Sequence, residues 1–253
     1  MSVPHFDHIV VVWEENHGFQ QIVGSRDAPY FNALISSGVL LTRSFAITHP
    51  SEPNYLALFS GSTHGVTNDA CPLSFVGPDL ASVLTAKGKS FGGYAEGLPN
   101  GEPRACKAGA YVRKHVPWVN FSDVPPSASH PMSAFPTDFS HLPSVAFIVP
   151  NLDHDMHDGT VAEADSWLDQ NLRAYATWAR THNSLLIVTF DEDDSAENNL
   201  ISTVLVGDHV KAGATDAERV DHYSVLRTIE DAFGTTSLGV SAHRRPISQA
   251  WST

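Results

Sequence analysis

Acids, an amide and histidines stand at the ends of the most apolar stretches of this chain. The run HIVVVWEEN closes on Glu15 and Asn16, a carboxylate beside a carboxamide. Both offer hard oxygen ligands of the kind that bind divalent cations. SVAFIVP leads into Asn151-Leu-Asp153-His154-Asp155-Met-His157-Asp158, and LLIVTF leads into Asp191 and Glu192. Neighbouring carboxylates repel one another unless a cation sits between them. Three strand ends of this composition suggest a single site for a polyvalent metal. Asp153 and His157 are four apart and would share one face of a helical turn. Asp155 and His157 would instead converge from an extended loop, so either aspartate is a ligand candidate. Any one of these clusters alone also reads as an acidic surface turn; their recurrence favours the metal.

A nucleophile is available nearby. Ser51 precedes an apolar run with helical spacing, SEPNYLALFSG, and Pro53 suits the first turn of a helix. A hydroxyl at a helix N-terminus lies where backbone N–H groups favour an anion, so a phosphate cradled there could be attacked by the serine. The ordinary alternative is an N-cap serine. His222 opens the last helical stretch, HYSVLRTIEDAF, and is a further nitrogen ligand candidate. His64 and His115 are candidates for leaving-group protonation or phosphate contact.

The elements that must position these groups alternate. Strands are expected near 8–14, 39–46, 90–96, 145–150, 184–190 and 201–206. Helices are expected near 28–37, from Ser51 onward, over DLASVLTAKG, and near 160–182 and 222–233. Strands alternating with helices predict an α/β fold with a mainly parallel central sheet sandwiched between helices. Ligands of such sheets bind at the carboxyl ends of the strands, where the acids stand. Residues 97–143 break the alternation. They are rich in Pro and Gly and read as an irregular, lid-like insertion in a single domain spanning 1–253.

The chain has 253 residues, 42% of them hydrophobic and 17% charged, enough for one sizeable core. A formal net charge of -13 argues against a nucleic-acid partner. Apolar runs are of strand length, so no transmembrane segment is expected. MSVPHFDH has neither the basic start nor the apolar stretch of a leader, which is expected to be absent from this chain. Cys71 and Cys106, the two cysteines, lie in loop contexts that favour a disulfide and an oxidising compartment; free thiols in a cytoplasmic enzyme are the alternative. Gly61-Ser-Thr-His-Gly65 superficially resembles the nucleophile elbow of carboxylic-ester hydrolases, but Thr63 stands at its centre and the run follows a helix.

In order, Glu15-Asn16, PSEPNYLALFSGSTHG, PNLDHDMHDG, TFDEDD and HYSVLRTIEDAFG resemble the phosphoesterase family of bacterial acid phosphatases and non-haemolytic phospholipases C, over about residues 7–234. That family lies in the alkaline-phosphatase-like superfamily. The resemblance implies an α/β sandwich with one or two metals at the carboxyl edge of its sheet. Ser51 matches the nucleophile, which also touches the metal. Glu15, Asn16, Asp191 and Glu192 match the residues holding one metal beside it, and Asp153 or Asp155 with His157 and His222 looks like a second set. Many superfamily members carry Asp-His where this chain has Asp191-Glu192, which leans from Zn²⁺ toward Ca²⁺, Mg²⁺ or Mn²⁺. The implied activity is hydrolysis of phosphate esters through a phosphoserine. Small, soluble phosphomonoesters are the expected substrates, in a secreted or periplasmic setting. A phospholipase C acting on lipid diesters is the alternative, and a secreted metal-binding module without catalysis is the alternative of another class. Oligomeric state is not legible.

Overall fold

A computed structural model describes residues 2–252. In chain order its strands and helices are β1 (His8–Glu14), α1 (Phe19–Ile22), α2 (Pro29–Ser37), β2 (Val39–Phe45), α3 (Ser51–Ser60), α4 (Leu80–Thr85), β3 (Phe91–Ala95), β4 (Lys107–Ala108), β5 (Tyr111–Val112), β6 (Ser129–Pro131), β7 (Val145–Val149), α5 (Val161–Ala179), β8 (Ser184–Phe190), β9 (Leu200–Gly207), β10 (Ala214–Asp216), β11 (Val220–Asp221) and α6 (His222–Phe233). One sheet runs β10-β2-β9-β8-β1-β7-β3-β6, with β11 beside β2. All its pairings are parallel except those of β9, which runs antiparallel to both β2 and β8. The expected α/β sandwich with a mainly parallel sheet is therefore what the chain forms.

β1 shows why. Its side chains alternate between two cores. Ile9, Val11 and Trp13 join Tyr55, Leu56 and Phe59 of α3 and Leu226 and Ile229 of α6. Val10 and Val12 join Phe31 and Leu34 of α2 and Leu168 and Leu172 of α5. A strand buried on both faces needs a continuous apolar run, and IVVVW supplies it.

The three central neighbours are β7, β1 and β8. Val12 pairs with Ile148 on one side and Val188 on the other, so all three strands end at the same edge. That register delivers Glu15, the 151–158 loop and Asp191-Glu192 to one place before any side-chain contact is considered.

The 97–143 stretch is irregular but tied into the fold. Lys107–Ala108 and Tyr111–Val112 form a two-stranded hairpin, and Ser129–Pro131 adds a short parallel edge strand next to β3. Three residues ending in proline are too few to read as a strand. Trp118, Val119 and Phe121 are buried in the core on the α3 side of the sheet. A Cβ on Gly93 would fall 2.1 Å from the Trp118 ring, so a glycine in β3 is what admits the indole. Cys71 and Cys106 are disulfide-bonded and tie the start of this stretch to the loop after α3.

Candidate active site

Ser51 is the first residue of α3 and is buried. Its Oγ donates to Glu15 Oε2 at 3.1 Å and to Glu192 Oε1 at 3.2 Å. The helix has no capping side chain at Pro50. Asp69 serves from a distance instead, its Oδ1 accepting the Glu52 N–H at 3.1 Å. One turn into the helix, Tyr55 donates its hydroxyl to Glu15 Oε1 at 2.5 Å.

Asn16 takes a left-handed conformation (φ 52°), one that asparagine tolerates better than most residues. The turn aims its N–H at Asp191 Oδ1, 3.1 Å away, while its side-chain amide donates to Glu15 Oε2 at 3.1 Å. Asp191 Oδ1 also accepts the Glu192 N–H.

His115 enters from the 97–143 stretch. Its Nδ1 lies 3.1 Å from Asp155 Oδ2, and its Nε2 lies 3.1 Å from Glu15 Oε1 without hydrogen-bond alignment. Asp155 Oδ1 accepts the His157 N–H at 2.8 Å. Met156 between them has φ 79° and buries its side chain in the core on the α5 side. Ligand atoms of Glu15, His115 and His157 lie within 4.8 Å of one another.

The electrostatics are those of a site short of positive charge. Burial raises the Glu15 carboxyl well above its ordinary range, helped by Asp191 and Asp155. Burial, then Glu192, does the same to Asp191. Glu192 is raised by burial, and Asp155 is pushed up to about 7, again by burial first. Burial holds His115 well down and His222 at about 4, so both imidazoles are neutral and keep a lone pair. His115 Nε2 and Asp191 Oδ2 are buried with no hydrogen-bond partner. Orphaned buried acceptors around a serine are costly unless something cationic satisfies them. The donor set therefore fits a divalent ion, with Glu15, Asp191, Glu192 and Ser51 on one side and Glu15, His115 and His157 on the other.

Several candidates sit elsewhere. The 151–158 segment is a run of turns rather than a helix, so Asp153 and His157 do not share a face. Asp153 is exposed, and Asp155 is the aspartate facing the cluster. His222 Nε2 donates to the Asp191 backbone carbonyl at 2.7 Å and its ring packs on Trp13, so it supports the Asp191 turn and is not in the Glu15–His115–His157 group. His64 lies past the far end of α3, about 14 Å along a helix rising 1.5 Å per residue. There it bonds Ser60 and stacks on Phe75. His115, expected as a proton donor or phosphate contact, stands instead among the ligand atoms.

Sequence reasoning missed His49, Tyr55, Asp69 and Lys114. His49 bridges Glu192 Oε2 at 2.8 Å and Asp193 Oδ1 at 3.0 Å. Its place two residues before Ser51 was the available signal. Tyr55 was hidden because it also fits the apolar face of its helix.

A model of the Phosphoesterase family matches residues 25–236. The chain belongs to the Phosphoesterase family. That membership makes it a phosphoric ester hydrolase. This phosphoesterase is 48% identical over 253 residues to a phosphatidylinositol-3-phosphatase of Mycobacterium tuberculosis, covering 99% of the chain and 84% of the relative. It is 34% identical to a phosphate-repressible acid phosphatase of Penicillium chrysogenum, covering 92% of the chain and 60% of that longer protein. Its fold is similar to that of a Vibrio parahaemolyticus protein of the alkaline phosphatase superfamily, with a TM-score of 0.64 at 13% identity over 98% of this chain and 73% of the other. No helix among the described residues is long and apolar enough to cross a membrane.

Proposed function

We propose that the chain hydrolyses phosphomonoesters with one or two divalent metal ions, through a phosphoserine on Ser51. The observation carrying this reading is the Ser51 hydroxyl held between Glu15 and Glu192 at the start of α3. Glu15, Asp191, Glu192 and Ser51 would hold one ion, and His115 and His157, sharing Glu15, a second. When bound, such an ion supplies charge neutralisation at the phosphoryl oxygens and favours the alkoxide form of the serine.

The chain's own residues account for the rest. Ser51 Oγ forms a bond to phosphorus as the ester P–O bond breaks. Its proton passes to a carboxylate it already faces, Glu192 or Glu15, and the departing oxygen takes a proton from water. The hydroxide left from that water then attacks the phosphoserine, the Ser51 O–P bond breaks to release inorganic phosphate, and the proton returns from the carboxylate to Ser51. Two displacements replace one difficult step. Asp155 orients His115, and Tyr55 fixes Glu15.

Phosphate esters carried on lipid headgroups are a second substrate reading, favoured by the phosphatidylinositol-3-phosphatase relative. The Cys71–Cys106 disulfide fits an oxidising, extracytoplasmic setting.

The test is hydrolysis of p-nitrophenyl phosphate, phosphatidylinositol 3-phosphate and p-nitrophenyl phosphorylcholine, before and after EDTA, with single cations restored. Chelator-sensitive release of phosphate from the monoesters supports the reading. Turnover of the phosphorylcholine diester alone would replace it with a phospholipase C. Turnover of none, with cation binding intact, would replace it with a metal-binding module.

A further inference from the structure

Phosphate monoesters carry two negative charges near neutral pH, yet the carboxylates of Glu15, Asp69, Asp155, Asp191 and Glu192 gather around Ser51. Among the described residues, one Lys or Arg makes hydrogen bonds into this cluster. Lys114 Nζ donates to Asp69 Oδ2 at 2.8 Å and lies 3.4 Å from His157 Nε2. Its neighbour Arg113 points the other way and is taken up by Asn120 and the carbonyls of Arg104 and Leu73.

Asp69 explains where the lysine is held. One carboxylate oxygen takes the Glu52 N–H in the first turn of α3, directly after Ser51, and the other takes Lys114. The ammonium group is thereby anchored to the start of the nucleophile helix. Lysine has three protons to donate. One goes to Asp69 and one is aimed at the His157 lone pair. A cation on His157 would occupy that lone pair, which leaves this second proton, together with the third, for an anion.

We propose that Lys114 is the substrate-phosphate contact of this site, and that Asp69 is the positioning residue that holds it beside Ser51. This inference rests on the phosphomonoesterase reading above.

The experiment compares wild type with Lys114→Met, Lys114→Arg and Asp69→Asn in the presence of the activating cation. Loss of a charge-assisted hydrogen bond to phosphate corresponds to about 10- to 100-fold in affinity. For Lys114→Met, KM for p-nitrophenyl phosphate and Ki for inorganic phosphate should both rise by that factor, with Lys114→Arg recovering part of it. Independently of turnover, inorganic phosphate should raise the unfolding temperature of the wild type and not of Lys114→Met, while calorimetric titration with the cation alone shows no loss of cation affinity in the variant. Asp69→Asn should raise KM with a smaller effect on kcat. An unchanged Ki for phosphate in Lys114→Met overturns the assignment even if the wild type is an active phosphatase. A wild type that neither turns over phosphomonoesters nor responds to phosphate overturns the function itself. Should Lys114→Met not fold, Lys114→Gln is read in the same way.

Discussion

Ser51 and Tyr55, one turn apart on α3, take the two oxygens of a single carboxylate, that of Glu15. A helix that grips the acid at both oxygens fixes the distance between nucleophile and β1. The serine is consequently presented in a set direction, the condition for in-line attack.

Removing that hydroxyl tests its role most directly. Ser51→Ala should lower kcat by about 10⁴-fold or more, the scale seen when a nucleophile is deleted. Cation affinity should fall far less, because the carboxylates and His115 remain. Steady-state kinetics alongside calorimetric cation titration separates the two effects, and near-normal turnover would remove Ser51 as nucleophile.

Two histidines near α3 should behave differently. His115→Ala deletes a group at the centre of the ligand atoms. Cation affinity should drop at least about 10- to 100-fold, the cost seen even for outer partners of metal ligands. His64→Ala should leave kcat within about twofold and cost about 1–2 kcal/mol of stability through the lost Phe75 stack and Ser60 hydrogen bond. Urea unfolding and turnover measured on both variants would decide, and a large kcat loss in His64→Ala would restore it as a catalytic candidate.

Glu230 gives a pH prediction away from the site. It is buried on α6, accepts from Ser241 and the Leu238 N–H, and is pushed up to about 7 by burial. The folded state thus holds this proton more tightly than the unfolded chain does. Its contribution is fully present below the unfolded value near 4.5 and is lost as pH rises through about 7. Glu230→Gln keeps an acceptor without the charge. It should be more stable than wild type at pH 8, by at most about 3 kcal/mol, with the gap closing near pH 4.5. Thermal unfolding across this range checks it; a gap independent of pH would contradict it.

The Cys71–Cys106 bond closes a loop with a sequence separation of 35. By loop-closure entropy it should contribute about 4 kcal/mol. The Cys71→Ser/Cys106→Ser double variant should lose most of this in denaturant melts. It should also lose affinity for phosphate, because Asp69 stands two residues from the bridge. Loss of stability with unchanged Ki for phosphate would show that the bridge does not steady Asp69.

Much of this was legible because two signals coincide. IVVVW and LLIVTF are apolar on both sheet faces, so their strand character and burial follow from one pattern. The acids that end them are then placed by the sheet rather than by their own chemistry. Ser51 was visible for the same reason, since Pro53 and the following apolar spacing fix the helix start. Where residues come from irregular chain, nothing periodic locates them. His115 and Lys114 are adjacent in sequence, yet one enters the ligand cluster and the other meets Asp69, a divergence set by a tight 3₁₀ turn over Arg113–His115. Asp153 misled because spacing of four implies a shared face only if the segment is helical, and here Met156 turns the chain with positive φ. His222 was visible as a helix-opening histidine, but no sequence pattern marks its bond to a backbone carbonyl.

β7, β1 and β8 lie side by side in the middle of the sheet; β1 and β8 run out into carboxylates, and the loop after β7 brings Asp155 to them. Without a counter-ion, that carboxyl edge of the sheet is where the molecule's charges oppose its hydrogen bonding. Under the proposed chemistry, a bound cation would act on folding as much as on turnover. By mass action it would add about 2.7 kcal/mol when free ion stands at 100 times its Kd. The cation content of the surroundings would then govern how long each molecule survives, besides how fast it works, and dilution into ion-poor water would age the protein before it starved it of substrate.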